Sequence, residues 1–169
     1  MSTQFCGCEP IITAHSIKEH DLKTTQAARL EMAGVFANSQ TVKDTSAATH
    51  TVAAGFTASA PTIVTGTGST TPAVADYVIE TPVADSPAGT GQIAGTVGTY
   101  VPGTTTGAFT ITGTITNGSA GDITYKEIGM TVTIATFVYL VLHDLVNTTV
   151  GYLVSIGGTM ACTYTITNG

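Results

Sequence analysis

From Phe109 to Thr116 the chain reads FTITGTIT. Phe109, Ile111, Gly113 and Ile115 point one way along an extended backbone, and Thr110, Thr112, Thr114 and Thr116 point the other. A period of two is the mark of a strand with one covered and one solvated face. The C-terminal TMACTYTIT repeats it. There Met160, Cys162, Tyr164 and Ile166 share a face, and Cys162 is expected as a buried thiol acting as a small apolar side chain. These two segments commit the chain to pleated sheet.

The remaining body reads the same way. TVKDTSAATHTVAAG gives two short strands around a Ser-Ala turn, PTIVTGTG a strand opened by Pro61, and DYVIETPV another ended by Pro82. DSPAGTG is a loop, QIAGTVGTYV a glycine-broken strand and PGTTTG a turn, while NGSAGD has the turn chemistry of a hairpin. ITYKEIGMTVTIA continues in strand register, and FVYLVLHD is apolar on both faces, as a covered strand is. Composition agrees: 43 % hydrophobic, 19 glycines and only 9 % charged residues, against roughly 25 % charged in an average soluble domain. Threonine and its β-branched relatives suit pleated surfaces. About nine or ten short strands at regular spacing predict an all-β protein. The expected architecture is an antiparallel β-sandwich, jelly-roll or Ig-like, over residues 41–169.

Residues 1–40 are different. Ser16 and Glu19 have the S-x-x-E spacing of a capping box, which predicts a helix over 17–33 with Gly34 near its end. Its apolar stripe of Leu22, Leu30 and Ala33 is thin, so the helix needs a surface to dock on, either the body or a neighbouring subunit. The residues expected to carry an assembly contact from this N-terminal arm are Leu22, Leu30, Met32, Val35 and Phe36.

Charge excludes several functions. Residues 1–43 balance Lys18, Lys23, Arg29 and Lys43 against Glu9, Glu19, Asp21 and Glu31. Residues 44–169 set Asp44, Asp76, Glu80, Asp85, Asp122, Glu127 and Asp144 against Lys126 alone, a net of −6. A body with one cation does not neutralise nucleic-acid phosphates or adhere to anionic membranes. No signal peptide is recognised in MSTQFCGCEP, and the longest apolar run, Ile128 to Leu142, is shorter than the ~18–20 residues that span a bilayer. Three cysteines make no even disulfide framework.

Few residues carry the marks of chemistry. GTGSTTPAVADY, Gly66 to Tyr77, is glycine-rich but lacks the lysine of a P-loop and the following helix of a dinucleotide fingerprint. Its glycines are expected to end a strand and turn the chain. His50 and His143 stand alone on predicted strands, and no G-x-S-x-G occurs, so no catalytic residue and no cofactor are expected. Cys6, Cys8, His15 and His20 are candidate metal ligands: His15-x4-His20 has a permitted zinc spacing, but Cys6-Gly-Cys8 and the gap to His15 are tighter than zinc patterns, and the simpler reading is a flexible arm with reactive thiols, free or paired between subunits. Glu127 either faces inward with Ile123 and Tyr125, needing a partner such as His143 or strand-end N–H groups, or is turned to solvent by a bulge. Asn117 and Asn147 match glycosylation sequons and read as plain turns.

Three segments carry a resemblance. PTIVTGTGSTTPAVADYVIETPV resembles a stretch of tailed-bacteriophage virion proteins in which a strand ending in G-T-G meets a T-x-P loop, an aspartate and a short strand. FTITGTITNGSAGDITYKEIGM is similar to the threonine-rich hairpin and E-[IV]-G-[LM] element that follow there. YLVLHDLVNTTV and GGTMACTYTI resemble their closing hairpin, with His143 standing where arginine is frequent. The match in motif order covers Thr41 to Ile166. The resemblance implies a β-sandwich subunit of the particle surface: a capsid decoration, head-fibre, collar or tail component. It implies copies of itself and other virion proteins as partners, a place in the virion after assembly in the host cytoplasm, and no catalytic residues. The alternative is a carbohydrate- or receptor-binding adhesin module, for which Tyr100 in TYVPG is the candidate contact.

Overall fold

A computed structural model describes residues 16–17, 29–30, 33, 39–102, 107–146 and 150–168. Its strands are β1 (Ser16–Ile17), β2 (Gln40–Lys43), β3 (Thr49–Val52), β4 (Thr62–Gly66), β5 (Gln92–Ala94), β6 (Thr96–Val97) and β7 (Val101–Pro102). They continue with β8 (Gly107–Thr116), β9 (Ile123–Tyr125), β10 (Glu127–Ile134), β11 (Phe137–Leu145), β12 (Tyr152–Val154) and β13 (Thr159–Asn168). Five strands form one sheet in the order β1-β13-β8-β6, with β7 also on β8. Four form a second in the order β11-β10-β4-β5, and β12–β9 and β2–β3 are separate two-stranded ribbons. Among the described residues only β1 and β13 pair in parallel, and the other pairings are antiparallel.

The two larger sheets share one core. Ile111 and Ile115 of β8 and Met160, Cys162 and Tyr164 of β13 meet Ile63 of β4, Met130 of β10 and Leu142 of β11. This is the predicted all-β sandwich, and the alternating strands supply one wall of it. β8 and β13 run in register over their full length, from Gly107 opposite Asn168 to Thr116 opposite Thr159. Gly113 gives the neighbouring isoleucines room there, because a Cβ would stand 2.8 Å from an Ile93 methyl and force it to shift. A second, smaller core lies under the β2–β3 ribbon, where Val42 and Val52 pack with Ile134, Tyr139, Leu30 and Ala33.

Three local expectations change. DYVIETPV forms no strand; only Pro82 bridges to Gly66. Its N–H groups find tertiary partners instead: those of Glu80 and Thr81 donate to the Glu127 carboxylate, and that of Val83 to the Thr65 carbonyl. NGSAGD closes no hairpin, since β8 pairs with β13 and β9 with β12, so this turn carries the chain from one sheet to another. Asn117 holds the crossing, its Nδ2 donating to the Gly121 and Val154 carbonyls while its Oδ1 accepts from the Ser119 N–H and hydroxyl. It is fully buried, so this sequon is a structural turn; Asn147 lies outside the described residues.

The arm departs from its capping signal. Ser16 and Ile17 are extended, opposite Thr165 and Ile166 on the edge of β13, so no helix begins at residue 17. A sheet edge offers those two residues backbone partners that a local cap does not. Arg29, Leu30 and Ala33 are helical, and Leu30 and Ala33 are buried in the smaller core. Of the five expected assembly residues only Leu30 is described, and it packs on its own body; Leu22, Met32, Val35 and Phe36 lie outside the described residues.

Candidate functional site

The best-defined polar cluster of the described residues sits where β4 ends and β10 begins. Ile128 and Met130 face the sandwich core, so Glu127 points to the opposite face of its sheet, where residues 67–83 fold over it. Glycine permits that close cover. A Cβ on Gly66 would meet the Glu127 carboxylate and the Thr81 carbonyl oxygen, the latter at 2.6 Å, and one on Gly129 would meet Ile79 at 2.9 Å. Glu127 is 1 % exposed and His143 4 %. Both are therefore inaccessible, and the solvent-facing bulge considered for Glu127 does not occur.

Glu127 is completely satisfied. Its Oε1 accepts from the N–H groups of Gly68 at 3.0 Å and Thr81 at 2.7 Å. Its Oε2 accepts from the Glu80 N–H at 2.8 Å and meets His143 Nε2 at 3.1 Å. His143 is not alone: its Nδ1 lies 2.8 Å from Asp76 Oδ2, which also accepts from the Ala73 N–H. His143 thus lies between two carboxylates, one at each ring nitrogen. Beside them Glu80 accepts from the N–H groups of Ser69 and Thr70 and from the Thr70 hydroxyl. Those Thr70 contacts, the Ser69 N–H and the charge of His143 together hold the Glu80 carboxyl below its ordinary value, outweighing the desolvation that raises it.

The glycine-rich turn does hold anions, and they are the protein's own side chains. Gly68, Ser69 and Thr70 present N–H groups as an anion-binding loop does. Glu127 and Glu80 occupy all three. No lone pair on Glu127 and no nitrogen of His143 remains for a substrate.

The same use of carboxylates recurs across the body. Asp44 Oδ1 accepts from the Ser46 and Ala48 N–H groups and the Ser46 hydroxyl, and its Oδ2 meets His50 Nε2 at 3.0 Å. Burial alone would raise the Asp44 carboxyl; these partners outweigh it and hold it below the ordinary range. His50 stacks on Phe137 of β11 with ring centres 3.5 Å apart, and Lys43 Nζ lies 3.8 Å over the Tyr77 ring. Asp85 accepts from the N–H groups of Gly89, Gly91 and Gln92; burial pushes it up, and those bonds win and lower it. Asp122 takes the Ile156 N–H and Asp144 the Leu145 N–H. Every carboxylate of residues 44–169 thus accepts from the chain's own backbone. Sequence reading missed this role for Asp76, Glu80 and Asp85. The available signal was an Asp or Glu within a few residues of glycines and small polar residues whose N–H groups need acceptors.

The other candidates are scattered. Cys6, Cys8, His15 and His20 lie outside the described residues, and among the described residues no group of three or more His, Cys, Asp or Glu is placed to hold a metal. Cys162 is buried, and desolvation pushes its thiol up to about 12. Tyr100 is 49 % exposed, Val97 and Val101 are exposed as well, and the Tyr100 ring lies against Gly107. No helix among the described residues is long and apolar enough to cross a membrane. Comparisons with protein-family models, curated proteins and solved structures found no match.

Proposed function

We propose that this chain is a structural protein of a tailed-bacteriophage virion, a self-assembling surface component that works through contacts between protein copies. A capsid decoration, a head-fibre, a collar or a tail subunit fits the reading. One observation carries it: the titratable groups of the body are engaged in holding its own loops, as Glu127, His143, Asp76 and Glu80 show. That construction stiffens a module and leaves its surface for contact. The threonine-rich motif order from Thr41 to Ile166, which resembles virion proteins of tailed phages, supports the particle.

The test has two arms. Native mass spectrometry of the purified full chain is expected to show a defined oligomer. Antibody labelling of intact particles is expected to decorate their surface. A monomer at every concentration, together with unlabelled particles, would overturn the proposal.

A further inference from the structure

We infer that the outer face of the β13-β8-β6 sheet is the self-association surface, meeting the same face of a second copy about a two-fold axis. The inference rests on the assembly reading above and says which surface performs it.

Charge makes the case. No Asp, Glu, Lys, Arg or His occurs in residues 86–121 or 145–169. β6, β7, β8, β12 and β13 fall entirely within those two segments. None of β6, β7, β8 and β13 therefore contributes a charged side chain to the outer face of this sheet, although the body has a net charge of −6. An antiparallel sheet face open to water ordinarily bears charged side chains, and edges are commonly protected by lysine. Two copies of an acidic protein repel wherever their carboxylates approach. This face is where they can meet without that penalty.

Its chemistry suits close contact. In register across the sheet lie Thr96 with Thr112, Thr112 with Thr163, Thr114 with Ala161, Thr116 with Thr159 and Thr110 with Thr165. Thr96, Thr112, Thr114 and Thr116 are exposed. A shallow depression of about 430 Å³ is bounded by Ala94, Thr96, Thr112, Thr114, Ala161 and Thr163. At one end of β8, Val101 stands 66 % exposed opposite Ala108. Threonine methyls offer apolar area, and the hydroxyls can each donate and accept, so the face can be complementary to itself.

Charge swapping tests it. Thr112→Glu/Thr163→Glu and Thr112→Lys/Thr163→Lys are made in the full chain, with Thr49→Glu/Thr51→Glu on the exposed face of β3 as control. Circular dichroism melts check that each variant folds. By sedimentation velocity, each face variant alone is expected to lose its association at least ~100-fold, while the β3 variant behaves as wild type. Mixing the Glu and Lys face variants is expected to restore the complex, because each face then meets its opposite. Association that survives both face variants would overturn this face and leave the assembly reading standing. Failure of the mixture to reassociate would overturn the two-fold pairing. A wild-type chain that stays monomeric would overturn the assembly reading itself.

Discussion

Replacing Glu127 by glutamine keeps the shape of the side chain and removes what it does. The carboxylate receives four hydrogen bonds on two oxygens. An amide accepts at one end only, so its nitrogen must face two of the four donors. With nitrogen at Oε1 those are the Gly68 and Thr81 N–H groups, neither of which can change role. With nitrogen at Oε2 they are the Glu80 N–H and His143 Nε2, and the imidazole can present a lone pair instead. The second orientation is the less costly, and it strands one buried N–H. An unsatisfied buried group costs about 1–3 kcal/mol, and the lost charge-assisted bond to His143 adds about 1.5–3 kcal/mol. A loss of about 3–5 kcal/mol lowers Tm by about 6–20 °C in a chain of this length. Differential scanning calorimetry of Glu127→Gln at pH 7 reads the shift. Amide hydrogen exchange reads its location, with protection expected to fall at Gly68, Glu80 and Thr81. A double-mutant cycle with His143→Asn is expected to be strongly sub-additive, since each change disables the same contact. A Tm within about 1 °C of wild type, with those amides still protected, would refute the account of Glu127 as the clasp of this loop.

Gly68→Ala is expected to cost about 1–3 kcal/mol in chemical denaturation, because its Cβ would press on the Glu127 and Glu80 carboxylates. Acid should weaken the fold. Asp44, Glu80 and Asp85 are held below their ordinary values of 3.8 to 4.5, so the unfolded chain takes up their protons first. Their contribution is complete above those ordinary values and is lost as pH falls through the lower folded values. Tm measured from pH 6 to pH 2.5 should therefore drop steepest below about 4, and Asp85→Asn should flatten the drop. Cys162, buried and pushed up to about 12, should resist iodoacetamide at pH 8 in the native protein and react in denaturant. Peptide mapping separates it from Cys6 and Cys8.

The sandwich was legible because its two longest paired strands alternate without error. Each of Ile111, Ile115, Met160, Cys162 and Tyr164 is buried where the period of two puts it. His143 was legible as one possible partner of Glu127, but its register was not: counting outward from the Ala135–Thr136 turn sets Gly129 opposite Leu142, and a register shift between Met130 and Thr131 brings His143 opposite Gly129, on the face of Glu127. Loop closure was not legible. DYVIETPV has strand composition, and nothing local shows that its N–H groups will be claimed by a carboxylate 46 or 47 residues away in sequence. NGSAGD failed as a hairpin for the same reason: turn chemistry sets how a chain bends, and long-range pairing sets what it bends toward. The capping box at Ser16 yielded to a neighbouring sheet edge.

The turn at Gly66–Thr70 has a consequence for ligands. Its inward N–H groups are met by Glu127 and Glu80, which belong to the same molecule and cannot diffuse away. A tethered partner acts as though present at millimolar or higher effective concentration, at any dilution of the protein. Dissolved phosphate or sulfate would have to outcompete an occupant that is always at hand, so a nest built like a receptor behaves as a rivet.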